Sequence, residues 1–94
     1  MIYSALPGGD LVEIGLRDLD QGIESEESLL VSIGAPRLRR LGMPVADQPG
    51  DPERRLYWRL AAVDPGSAHS RYNALIRRLV SFERAAECAQ RPWT

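Results

Sequence analysis

Apolar residues recur along this chain at helical intervals, not at the two-residue interval of a half-buried strand. The first series, Val12, Leu16, Leu19 and Ile23, advances by four, three and four residues and so falls in one narrow stripe of a helix. Pro7-Gly8-Gly9 breaks the chain ahead of it, Asp10 is placed to cap its start, and Gly22 is placed to end it. A helix is therefore predicted over about 10–21, with Glu13 and Arg17 as a favourably oriented pair on its flank.

Ser25 then occupies an N-cap position, and Glu26 and Glu27 suit the positive end of a helix dipole. A short helix over about 26–33 follows, with Leu29, Leu30 and Ile33 as its apolar side. Gly34 stops it, and Pro36 opens a second short helix over about 36–41, built on Leu38 and Leu41 and closed by Gly42. Residues 43–50 contain two prolines and a glycine without any period, so they form the one long connection, where mobility is expected.

Asp51-Pro52-Glu53 starts a helix over about 52–63, with Asp51 as its cap and Leu56, Leu60 and Val63 as its inner stripe. Asp64-Pro65-Gly66 breaks the chain again, and Ser67 is placed to cap the longest helix, about 68–90. Its stripe is Ala68, Tyr72, Leu75, Leu79, Phe82 and Ala86, with Ile76 at the margin, and the tail Arg91-Pro92-Trp93-Thr94 leaves the helix. The prediction is a single all-α domain over 1–94, a small bundle of three main helices and two short ones, with no internal repeat.

Composition agrees with a folded domain: 94 residues, 44% hydrophobic and 27% charged, are too apolar for a chain that stays disordered. No apolar run approaches the ~20 residues of a membrane span, and the first residues lack the basic end and long apolar segment of a leader. A cytoplasmic location is expected. Cys88 is the one cysteine, so neither an intramolecular disulfide nor a cysteine-rich zinc site is available, and no metal or cofactor is indicated.

Net charge is −1, but it is unevenly spread. Residues 1–35 hold seven acids and one base, Arg17, whereas residues 36–94 hold eleven arginines and six acids, giving about −6 and +5. Either these two surfaces neutralise each other within the fold, or one of them faces a partner. All twelve basic residues are arginine, which suits the codon bias of a GC-rich bacterial genome.

Several constellations invite a chemical reading. Ser25 to Gly42 has the outline of a helix-turn-helix with Arg37, Arg39 and Arg40 on its second helix. That helix is barely two turns long, however, and a run of acids precedes it, so a plain helical corner is expected. His69, the single histidine, aligns with Asn73 and Arg77 at four-residue steps, while Ser70 points about 100° away, which disfavours a serine–histidine pair. His69, Asn73 and Arg77 are kept as secondary contact candidates. Asp18, Asp20, Glu24, Glu26 and Glu27 have neither calcium-loop spacing nor apolar surroundings, and they read as a solvated acidic surface.

The helix over 52–63 departs from the usual division into core and solvent. Opposite Leu56 and Leu60 the wheel places Arg54, Arg55, Trp58, Ala61 and Ala62, with Tyr57 and Arg59 on the flanks. Arginines in a first turn oppose the helix dipole, and Arg55 and Arg59 are like charges four residues apart. Such local costs point to a second packing surface. Either the helix is central, with the first or last helix covering Trp58, or Arg54, Arg55, Trp58 and Arg59 meet another molecule. The expected function is a non-enzymatic module acting through protein–protein contact, homodimerisation included, with no membrane or small-molecule partner. The alternative is nucleic-acid binding through Arg37, Arg39, Arg40, Arg54, Arg55, Arg77 and Arg78.

Overall fold

A computed structural model describes residues 3–48 and 50–90. After a 3-10 turn at Tyr3–Ala5 come five helices: α1 (Gly9–Asp20), α2 (Glu26–Ile33), α3 (Ala35–Arg40), α4 (Pro52–Val63) and α5 (Ala68–Gln90). The all-α architecture is as predicted, with every helix end within one residue of its expected place. The expected departure of residues 91–94 from the last helix lies outside the described residues.

The centre of the bundle is α2, on which α1, α4 and α5 all pack. Ser28, Leu29, Leu30, Val31 and Ser32 are buried in succession, so this helix is enclosed on every side instead of presenting one stripe. Its polar groups are satisfied locally. Ser28 N–H donates to Ser25 Oγ at 3.1 Å, Ser25 N–H donates back to Ser28 Oγ at 2.8 Å, and Ser32 Oγ donates to the Ser28 carbonyl at 2.8 Å. Burying these serines therefore leaves no hydroxyl orphaned.

α1 lies against α2 at Gly15, where a Cβ atom would collide with the Glu27 carbonyl oxygen and the Val31 side chain. Val12 and Leu19 are buried and Leu16 is half-buried, as expected. Ile23 is not part of that stripe: it is 47% exposed, because α1 ends at Asp20 and Gly22 turns the chain at φ 72°. The turn itself is a Schellman motif, in which Ile23 N–H donates to Asp18 O and Gly22 N–H to Leu19 O. α3 ends the same way at Gly42, with Met43 N–H donating to Leu38 O. The start of α1 differs from the expectation too, since Gly8 is the cap at φ 73° and Asp10 sits inside the first turn.

Leu56 and Leu60 seat α4 on the core, but Val63, expected beside them, is 72% exposed at the last residue of the helix. Asp51 precedes α4 in the left-handed region, φ 54°, and its side chain makes no capping bond. Ser67 Oγ donates to Asp64 Oδ2 at 2.9 Å instead of accepting from an amide of α5. On α5, Ala68, Leu79, Phe82 and Ala86 are buried, and Tyr72, Leu75 and Ile76 pack at the margin. The connection after α3 is anchored: Met43 is buried, and the Arg39 guanidinium donates to the carbonyls of Val45 and Ala46 and to Gln48 Oε1 at 3.0–3.1 Å.

Candidate interaction surface

Leu56 and Leu60 fix the rotation of α4, and the helical period then turns Trp58 directly away from the core. Trp58 is 62% exposed. This overturns the reading in which α4 is the central helix and Trp58 is covered by the first or last helix, because α2 holds that place. The guanidinium carbon of Arg54 lies over the Trp58 ring, 5.8 Å from its centroid, a cation–π contact. Arg59 and Ala62 continue the exposed face, and Glu24 and Asp51 border the shallow depression that they line. Tyr57, on the opposite flank, leans towards Tyr72 with centroids 6.1 Å apart.

Of the four residues expected to meet a partner, Arg55 is directed at its own chain. It donates to Glu24 Oε1 at 2.9 Å and to the Gly50 carbonyl at 3.0 Å. Arg54 and Arg59 form no ion pair among the described residues, so the positive charge on this face is theirs. The split in charge along the sequence is bridged within the fold by Asp10–Arg78 at 3.1 Å, Glu24–Arg55 at 2.9 Å and Glu26–Arg71 at 3.8 Å. These pairs are solvent-exposed, each worth about 0–1 kcal/mol, so they orient surfaces more than they stabilise them.

The remaining candidates are dispersed. His69 Nε2 is 3.2 Å from Asn73 Nδ2, and Arg77 Nε donates to the Asn73 carbonyl at 3.4 Å, so these three form a surface ladder along α5. Asp64 is engaged by Ser67 and by the Gly66 amide, and Ser70 Oγ donates to the Ser67 carbonyl, so neither is aligned with His69. Among the described residues no cluster of His, Cys, Asp and Glu is arranged to hold a metal ion. Five of the seven arginines of the nucleic-acid reading, Arg37, Arg39, Arg55, Arg77 and Arg78, are held by partners inside the molecule. The α2–α3 pair is a corner packed on α5: a Cβ at Gly34 would lie 3.1 Å from the Leu79 and Glu83 side chains.

Glu83 is the polar residue that sequence reasoning passed over. It is 5% exposed, its Oε1 is 3.7 Å from Arg37 Nη1, and Arg37 also bonds Glu87 at 2.8 Å. Burial pushes the Glu83 carboxyl above the usual carboxylate range, while the nearby guanidinium groups of Arg37 and Arg40 pull it back. The wheel of α5 carried a signal for this, since Glu83 falls within 40° of Leu79, inside the apolar arc.

Comparison with known protein families, with curated proteins and with solved structures returns no match. Among the described residues no helix is long and apolar enough to cross a membrane. Fold and surface together define a small all-α domain that presents an arginine–tryptophan helix face.

Proposed function

We propose that this domain is a non-enzymatic interaction module that contacts another protein through the outer face of α4, with Arg54, Trp58 and Arg59 as the contact residues. The observation that carries the reading is the position of Trp58: its indole is 62% exposed and directed away from Leu56 and Leu60, next to two arginines that have no carboxylate partner among the described residues. Tryptophan and arginine dominate interface hot spots because each combines a large contact area with directional polar groups. Ala62 leaves room for a close approach beside the indole. A second copy of the chain is the alternative occupant of this face.

A photo-reactive amino acid placed in cells at Gly50, which lines the depression and where a side chain meets open space, tests this. A discrete covalent adduct is expected there, and none from the same group at exposed Arg84 on α5. Equal trapping at both positions, or at neither, would remove the proposal.

A further inference from the structure

The charge left on the α4 face follows from where the acids of the chain are already committed. Resting on the interaction reading above, we infer that the occupant of the face is an acidic amphipathic helix of a different protein. Its apolar side chain covers Trp58 and Ala62, and carboxylates on either side of it meet Arg54 and Arg59.

Three observations lead there. First, Arg54 and Arg59 flank Trp58 on opposite sides of the helix wheel, separated by about 7.5 Å along the axis from the ordinary helical rise. Carboxylates one helical turn apart, with an apolar residue between them, match that spacing within the reach of a guanidinium. Secondly, the two arginines lack ion-pair partners among the described residues, and the neighbouring Arg55 is already neutralised by Glu24 at 2.9 Å. An incoming acid therefore meets two arginines against the single uncommitted carboxylate lining the depression, that of Asp51, beside an exposed indole.

Thirdly, a second copy of this chain is poorly equipped to supply the acids. Of the seven in its first third, Asp10, Glu24 and Glu26 are ion-paired internally, Asp18 accepts the Ser25 hydroxyl at 2.7 Å, and Glu13 accepts the Ser4 amide at 3.2 Å. Glu27 is half-buried, with Oε2 enclosed by the fold. Asp20 alone of the seven is exposed and uncommitted among the described residues; of such acids further along, Asp47, Asp51 and Glu53, the last two adjoin Arg54 and Arg55, so a second copy would bring its own arginines up with them.

The test uses the full chain and two synthetic amphipathic helices that share one leucine stripe, flanked in one peptide by glutamates and in the other by lysines. Binding is read by the fluorescence anisotropy of the labelled peptides. The glutamate peptide should bind about tenfold or more tightly than the lysine peptide, and added salt should narrow that gap. Arg54→Glu with Arg59→Glu should reverse the preference, and Trp58→Ala should weaken both peptides. Equal binding of the two peptides that is still lost in Trp58→Ala would keep α4 as a contact face and overturn its selectivity for acids. If neither peptide binds and the solution mass rises with concentration in the wild type but not in Trp58→Ala, the occupant is a second copy and the inference is wrong. Binding of neither peptide without self-association overturns it as well.

Discussion

Arg37 reaches the buried carboxylate of Glu83 at 3.7 Å, linking α3 to the inner face of α5. The two partners are unequal, because Arg37 keeps over a third of its side chain in solvent while Glu83 keeps almost none. Removing the arginine leaves a buried carboxylate without its guanidinium, whereas removing the carboxylate charge removes the cost of burying it. Arg37→Ala should cost about 1–3 kcal/mol in urea denaturation at neutral pH. The loss should be smaller in a Glu83→Gln background, and equal losses in both backgrounds would show that the pair is not coupled.

The same carboxyl gives a pH dependence with a definite sign. Its value in the fold is raised, mainly by burial, so the folded state holds the proton more firmly than the unfolded chain does. The favourable contribution is present at acid pH and is lost as pH rises through the raised value. Glu83→Gln should therefore gain stability relative to the wild type on going from acid to neutral pH, with the two proteins nearly equal at the acid end. Chemical denaturation of both at two pH values measures this, and a difference that runs the other way contradicts it.

Gly15 is required by the approach of α1 to α2, where an added methyl would meet the Glu27 carbonyl and Val31. On propensity alone Gly15→Ala would stabilise the helix by about 1 kcal/mol. Overpacking should outweigh that, for a net loss of about 1–3 kcal/mol read from thermal melting. An unchanged or raised melting temperature would mean that α1 does not sit where the structure places it.

The central position of α2 predicts a contrast between two aliphatic truncations. Leu30→Ala should lower stability by about 2–5 kcal/mol, the range for a buried leucine, and Val63→Ala by no more than about 0.5 kcal/mol. Periodicity alone places both Leu30 and Val63 on the apolar sides of their helices, so a large loss at the first beside a small one at the second is what the enclosure of α2 and the exposed end of α4 require.

Much of the fold was legible because its punctuation is local. Ser25, Gly22 and Gly42 mark helix ends through a capping bond and left-handed turns that need only near neighbours. The arrangement of the helices was less legible. Periodicity assigns Ile23 and Val63 to apolar stripes without registering that the helix or its neighbour stops, and both side chains are exposed. Nor does it distinguish a helix enclosed on all sides from a short amphipathic one when serines interrupt the apolar run, as Ser28 and Ser32 do in α2. The candidate surface was visible as a helix with polar and apolar residues in unusual places. Its exposure was not, since that depends on which helix occupies the centre. Arg55 was grouped with its neighbours because a sequence does not show that Glu24, across the bundle, stands within reach.

Whether Trp58 serves a partner or its own fold is separated by Trp58→Ala, in a paired measurement of melting temperature and of trapping by a photo-reactive group at Gly50. Loss of the Arg54–Trp58 contact should cost no more than about 1 kcal/mol, so melting should shift by only a few degrees while the adduct disappears. A fall of ten degrees or more with the adduct intact would make Trp58 part of the core and contradict the account.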